Sequence, residues 1–120
     1  MISASLFFGL LLTLSAGMYA QDPLKVARNV AKKILLENDQ VRVLYVEYEP
    51  GETTPWHSHP NHVVYALTDG KIEITDKDKP ANVIELKANE AVFMPAVTHM
   101  VKNIGSTTLK IVVTEMKPTK

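Results

Sequence analysis

The stretch that decides the fold is Gly51–Gly70, GETTPWHSHPNHVVYALTDG. It holds three of the chain's four histidines, His57, His59 and His62. Side chains alternate along an extended strand, so a His-x-His pair presents both imidazoles on the same face. Pro60 bends or interrupts the strand directly after this pair, so the direction of His62 cannot be found by counting. The stretch predicts a strand, a loop, a second strand and a turn.

Short segments rich in β-branched and aromatic residues follow one another along the rest of the chain, with turn residues between them. The clearest are Val41–Glu49, Lys71–Thr75, Asn82–Leu86, Ala91–Met94, Met100–Ile104 and Leu109–Met116. Strands repeating about every 8–12 residues without a long amphipathic helix indicate one all-β barrel or sandwich domain. Residues 21–40 are predicted to form an N-terminal arm with a short helix or lead-in and a short strand, and residues 41–118 the barrel.

The charge balance and the lack of cysteine restrict the function classes. Lys plus Arg and Asp plus Glu are each 13, so nothing in the net charge favours nucleic acid or an anionic membrane surface as a partner. With no cysteine, disulfides, thiolate ligands and cysteine nucleophiles are excluded. Any bound metal must be held by nitrogen and oxygen atoms.

Residues 1–20 carry no charged side chain and contain the apolar segment Leu6–Leu14. This pattern predicts a signal peptide cleaved after Ala20, although no basic residue precedes the apolar segment and Met18 stands where a small residue is usual. An uncleaved N-terminal anchor is the alternative, because about 20 uncharged residues can just span a bilayer. Either interpretation places the domain outside the cytoplasm, in the periplasm or secreted, with no membrane contact once the peptide is cleaved.

Two ordered motifs resemble those of the cupin superfamily, specifically its small single-domain members. In the first motif, Gly51, His57, His59 and Gly70 stand at the family's spacing, but Val63 or Val64 takes the place of its glutamate. In the second motif the family's proline, histidine and asparagine are matched at the end of the barrel segment. They are Pro95, His99 and Asn103, with Asn89 where the motif begins with glycine, and the spacing from proline to histidine is one residue shorter.

The resemblance implies a double-stranded β-helix, the jelly-roll barrel of cupins, with the two motifs facing each other inside. It also implies a divalent metal held by His57, His59 and His99, without the glutamate ligand. His62 adjoins the missing glutamate's position, so it is either a fourth ligand or a histidine of the rim or surface. Imidazole ligands suit Fe, Cu, Ni, Mn or Zn better than Mg or Ca. The alternative to a metal site is a set of barrel-lining histidines without metal.

Four further residues are candidates for the pocket. Trp56 is expected at its mouth or as a packing aromatic, and Tyr65 is expected to contact a substrate or to be a core tyrosine bonded to backbone. Met94 and Met100 flank the second motif and are expected to form the apolar wall.

The resemblance implies a dioxygenase-like oxidoreductase acting on a small organic molecule, since three-histidine cupins include oxygenases of diketones and thiols. The alternative is a non-catalytic periplasmic module that binds or senses a metal or small ligand. An isomerase is the third hypothesis, and no inward His, Asp and Arg set is evident for it. Cupins commonly dimerise through their outer sheets or an N-terminal arm, so a homodimer is also expected, with Asp22–Leu36 as the candidate contact segment.

Overall fold

The structure is a computed structural model that describes residues 21–118. Predictions about residues 1–20 therefore lie outside the described residues. The chain begins with one helical turn, α1 (Pro23–Val26), which Asp22 caps by accepting a hydrogen bond from the Leu24 N–H. The described residues then form these strands: β1 (Ala31–Glu37), β2 (Val41–Tyr48), β3 (His57–His59), β4 (His62–Ala66), β5 (Gly70–Asp76), β6 (Asn82–Leu86), β7 (Ala91–Met94), β8 (Val97–Asn103) and β9 (Leu109–Met116).

The strands form two antiparallel sheets that enclose the core. The five-stranded sheet has the order β1-β2-β9-β4-β7, and the four-stranded sheet has the order β3-β8-β5-β6. Strand β9 is central in the first sheet, because it pairs with β2 on one side and β4 on the other. The prediction of a single all-β domain with the double-stranded β-helix fold is confirmed.

The core follows the alternation expected of strands with one buried face. On β2 the buried side chains are Leu44, Val46 and Tyr48, and on β9 they include Leu109 and Ile111. Leu44 and Leu109 are completely buried, and each such side chain contributes about 1.5–3 kcal/mol through removal of its surface from water. The inward faces of both sheets thereby form one apolar interior.

The N-terminal arm belongs to this core. Ala27 and Val30 are buried within it, and β1 pairs with the edge of β2. The helix is shorter than the spacing of apolar residues suggested, because the chain turns extended at Ala31. Among residues 21–118, no helix is long and apolar enough to cross a bilayer.

Backbone geometry explains two positions of the motifs. Gly51 has a φ of +81° and Asn89 a φ of +69°, in the left-handed region that glycine occupies freely and asparagine tolerates better than most residues. Asn89 can therefore stand where the family has glycine.

Candidate metal centre

Three histidines from two strands of one sheet meet inside the barrel. His57 and His59 come from β3 and His99 from β8, with His57 directly opposite His99 in the ladder. One ring nitrogen from each of the three lies within 4.8 Å of the others. The structure thus brings together the three residues predicted to be metal ligands.

His62 faces the same interior from the opposite sheet. Strand β4 starts at His62, and its buried positions are His62, Val64 and Ala66, which fixes the direction that Pro60 had left open. The His62 ring is completely enclosed and stacks on His59 with 4.4 Å between ring centroids. Its ring lies 6.3 Å from that of His99. His62 is therefore an interior residue beside the three-histidine group rather than a surface histidine.

Hydrogen bonds define which ring nitrogen is available on His57 and His62. Nδ1 of His57 contacts the carbonyl oxygen of Pro55 at 2.9 Å, and Nδ1 of His62 contacts that of Pro60 at 2.8 Å. A carbonyl oxygen can only accept, so both rings carry their proton on Nδ1. A neutral ring of this tautomer has its lone pair on Nε2, the atom that binds a metal.

A buried carboxylate fixes the third ring. Nδ1 of His59 lies 2.7 Å from Oε2 of Glu115, on β9 of the other sheet. Oε1 of Glu115 accepts from Arg42 Nε at 2.8 Å, and Arg42 in turn donates two hydrogen bonds to Asp22 at 2.8 and 2.9 Å. His59, Glu115, Arg42 and Asp22 form a continuous chain of contacts, called here the Glu115 network.

The imidazoles are held neutral. Burial lowers the pKa of His59 and of His99 to about 2, because a charged ring loses its hydration there and the neighbouring histidines add repulsion. Burial also lowers the pKa of His57 and of His62. Neutral imidazole is the form that coordinates metals, so no deprotonation has to precede binding near pH 7.

Burial and pairing act in opposite directions in the Glu115 network. Burial raises the pKa of Glu115, while the Arg42 guanidinium opposes that rise. Burial would also raise the pKa of Asp22, but hydrogen bonds from Arg42 and the Leu24 N–H outweigh it and lower that pKa. For Arg42, burial alone would lower the pKa, and its two carboxylate partners raise it instead.

The interior around the histidines is small and apolar. Its free volume is about 50 Å³, which is room for a few water-sized ligands. Within the described chain, the residues lining it include no Lys, Arg, Asp or Glu. The arm closes this space on one side through Pro23, Ala27 and Val30.

Of the four predicted pocket residues, the structure places only Met94 against the interior. Met100 lies between the inward His99 and Val101 on β8 and so points outward. Tyr65 also points outward, between the inward Val64 and Ala66 on β4. Its hydroxyl donates to Asn89 Oδ1 at 3.1 Å. Trp56 precedes β3 and is 40% exposed. Met100 therefore does not form the apolar wall, Tyr65 is neither a core tyrosine nor a residue lining the interior, and Trp56 is not among the residues that line it.

Sequence reasoning missed Arg42 and Glu115. Both occupy inward positions of apolar strands, Arg42 in line with Leu44 and Val46, and Glu115 in line with Val113. They are also direct partners in the β2–β9 ladder. A charged residue in the inward row of an otherwise apolar strand was the signal that could have found them.

Comparisons with known proteins agree with this geometry. Residues 44–115 match the family model for the cupin domain. No functionally curated protein matched the chain. Among solved structures, a cupin domain from Bordetella pertussis is 26% identical, with a TM-score of 0.67 over 72% of this chain and 91% of that one.

Two more solved structures are similar. A cupin-like protein from Thermotoga maritima is 29% identical, with a TM-score of 0.55 over 69% of this chain and 65% of that one. A cupin-family protein from Methanocaldococcus jannaschii, described as having a double-stranded β-helix fold, is 22% identical, with a TM-score of 0.58 over 70% of this chain and 76% of that one. The chain belongs to the cupin domain family.

Proposed function

We propose that this protein is a metal-dependent oxidoreductase of the dioxygenase type, with a divalent transition metal held by His57, His59 and His99. The observation that carries the proposal is the convergence of three ring nitrogens within 4.8 Å in a buried interior. The donor set fits such a metal, because its imidazoles are neutral and their tautomers leave nitrogen lone pairs available. Nitrogen ligands of this kind favour Fe, Cu, Ni, Mn or Zn over Mg and Ca.

A metal in this position would supply Lewis acidity and coordination positions for a small molecule or dioxygen. The chain's own contribution is to orient the imidazoles and to exclude water with the apolar walls. Since the free volume is about 50 Å³, the substrate is expected to be small. Since no charged side chain lines the described interior, the substrate is also expected to be uncharged where it enters the barrel.

A second function is a non-catalytic module that binds a metal or a small ligand. The observation favouring it is that the described residues lining the interior include no carboxylate, lysine or arginine, which leaves His62 as the lining base outside the three-histidine group. Glu115, the carboxylate hydrogen-bonded to His59, is also engaged by Arg42. A catalyst that must move protons would therefore depend on His62, on the substrate or on bound water.

The test begins with elemental analysis of the protein purified without a polyhistidine tag. Near-stoichiometric Fe, Cu, Ni, Mn or Zn supports the metal site, and none after reconstitution contradicts it. Oxygen uptake with small thiols, diketones and flavonols then separates the two functions. Turnover of the smaller compounds ahead of flavonols supports the oxidoreductase. Tight metal binding without turnover of any of them supports the binding module.

We also propose that the protein acts outside the cytoplasm, on the basis of the apolar segment in residues 1–20. A separate proposal is that it forms a homodimer. The dimer is supported by Ile34, Leu35 and Leu36 on β1, which are 43%, 48% and 52% exposed on an edge strand. Exposed apolar edges commonly pair with another chain. Light scattering after gel filtration should give a dimer for the parent protein and a monomer for Leu35→Lys. A monomeric parent protein would contradict the dimer.

A further inference from the structure

The metal motif of this chain lacks its carboxylate, yet a carboxylate reaches the cluster from elsewhere. Val63 and Val64 stand where the motif's glutamate is expected. Glu115 is 4% exposed in its side chain and comes from the far end of the barrel sequence, on β9, to lie 2.7 Å from Nδ1 of His59. Its ladder partner on β4 is His62. The carboxylate thus contacts His59, and the residue that carries it pairs with His62 in the ladder.

Both oxygens of Glu115 are committed to single partners. Oε2 contacts His59, while Oε1 accepts from Nε of Arg42 at 2.8 Å and lies 2.6 Å from its Nη2 in an ion pair. Arg42 is itself fixed by a two-bond contact with Asp22. Planar two-bond contacts of this kind hold a guanidinium in one orientation. The Glu115 side chain therefore has little freedom to turn away from His59.

The network also leaves negative charge beside the histidines. Arg42 carries one positive charge, and Asp22 and Glu115 carry one negative charge each, which sums to −1 for the three side chains. All three are largely buried, with side-chain exposures of 14%, 17% and 4%. Poorly screened negative charge next to neutral imidazoles favours a cation at that place.

We propose that Glu115 is the positioning carboxylate of the metal centre, supplied by β9 in place of the glutamate that the motif lacks. It holds the His59 proton on Nδ1, directs Nε2 toward the cluster and provides negative charge without being a ligand. This inference rests on the proposed metal site. Carboxylates that bond to metal-binding histidines fix the ring tautomer and raise its basicity, and their loss typically weakens metal affinity about 10–100-fold.

The first experiment measures Ni²⁺ affinity by chelator competition. Glu115→Gln keeps the shape and removes the charge, and its single amide oxygen can accept from either His59 or Arg42 but not from both. Glu115→Leu removes both the charge and the acceptor oxygens. We expect weaker binding by about tenfold in Glu115→Gln and by up to about 100-fold in Glu115→Leu. The matched control is Glu37→Gln, which breaks the exposed ion pair with Lys117 at 2.9 Å and should leave affinity unchanged.

The second experiment reads the His59 tautomer in the metal-free protein, by two-bond ¹H–¹⁵N correlation of ¹⁵N-labelled histidine. The parent protein should show His59 protonated on Nδ1, and Glu115→Leu should show a shift toward Nε2. A His59 that keeps its Nδ1 proton in folded Glu115→Leu overturns the positioning role. If Glu115→Leu does not fold, the Ni²⁺ affinity of Glu115→Gln tests the role of Glu115 instead.

The outcomes separate the two proposals. Strong Ni²⁺ binding by the parent protein with equal binding by Glu115→Gln overturns the role of Glu115 and leaves the metal site intact. No Ni²⁺ binding by the parent protein overturns the metal site, and the role of Glu115 with it. A loss of affinity confined to the Glu115 variants supports both.

Discussion

His57 and His99 are cross-strand partners in the β3–β8 ladder, with 4.6 Å between their ring centroids. The two motifs of the family meet at this pair. Because antiparallel partners point to the same face of a sheet, residues far apart in the sequence can converge on one ion with no loop to position them.

Replacing either partner should remove the metal. His57→Ala and His99→Ala are each expected to abolish stoichiometric metal binding. Each variant leaves only two of the three imidazole ligands, which are too few to hold the ion. Elemental analysis after reconstitution measures this. Tyr65→Phe, on the outward face of β4, is the control and should bind as the parent protein does. Stoichiometric metal in both histidine variants would contradict the site.

His62→Ala should have a milder effect. The ring belongs to the opposite sheet and lies outside the group whose nitrogens are within 4.8 Å of one another, so one equivalent of metal is expected to remain with lower affinity. X-ray absorption of the loaded protein would count imidazole ligands before and after the change. Complete loss of metal from this variant would mean that four histidines are required.

The metal-free protein should lose stability on acidification. The pKa of His59 and of His99 is lowered to about 2 in the folded state, against about 6.5 when unfolded. Between those pH values the unfolded chain binds more protons, so the free energy of unfolding falls as pH falls below about 6.5. The raised pKa of Glu115 has the opposite effect on the free energy of unfolding at pH values just above the ordinary pKa of a glutamate. It is one group, whereas the pKa of all four histidines is lowered.

Urea unfolding at several pH values measures this dependence. Each buried histidine contributes up to about 1.4 kcal/mol per pH unit in that window. His99→Leu should flatten the dependence by about that amount. A midpoint that does not change between pH 7.5 and pH 5 would contradict the neutral, buried state of the rings.

Asn103 should matter for stability rather than for metal. Its fully buried side chain donates to the carbonyl oxygens of Tyr48 and Thr107 at 3.1 and 3.0 Å and accepts from the Gly105 N–H at 2.9 Å. Asn103→Ala is expected to lower the free energy of unfolding by about 1–3 kcal/mol, since it leaves the buried Tyr48 carbonyl without this partner and breaks the contacts to Thr107 and Gly105. Asn82→Ala, at an exposed position, is the control. Equal urea midpoints for both variants would contradict the assignment.

Gly70→Ala should also destabilise the fold. A Cβ at Gly70 would lie 2.6 Å from Cδ1 of Leu109, which is completely buried and has little room to move. Overpacking of this kind costs about 1–3 kcal/mol. Chemical denaturation measures it, and the double variant Gly70→Ala with Leu109→Val should recover part of the loss. A Gly70→Ala variant as stable as the parent protein would show that Leu109 can move aside at no cost, and it would contradict this prediction.

Much of the fold follows from local pattern. Val41–Glu49 and Leu109–Met116 were predicted within about one residue of β2 and β9, because alternation and β-branched residues report a half-buried strand directly. The three histidine positions followed from motif spacing. The direction of His62 did not, since Pro60 and Asn61 let the chain leave one sheet and enter the other, and no count of residues describes that change.

The Glu115 network could not be derived from local pattern. Its members lie on the arm, β2, β3 and β9, and only the pairing of the strands brings Asp22, Arg42 and Glu115 together. Single charges near strand ends usually face solvent, so the sequence alone does not identify Arg42 and Glu115 as buried partners of each other. Conversely, Trp56 and Met100 adjoin the motif histidines in sequence but lie outside the interior, because neighbours on a strand point to opposite faces.

The contact between the N-terminal arm and β3 also restricts where an affinity tag can be attached. Strand β3 is at the edge of its sheet, and the Ser58 N–H, between His57 and His59, donates to the carbonyl oxygen of Gln21 at 2.8 Å. The Ser58 hydroxyl donates to the Gln21 side chain as well. An affinity tag fused directly before Gln21 would crowd the strand that carries His57 and His59, and a cleavage scar there would alter the same contact. Purification handles for this protein therefore belong at the other end of the chain.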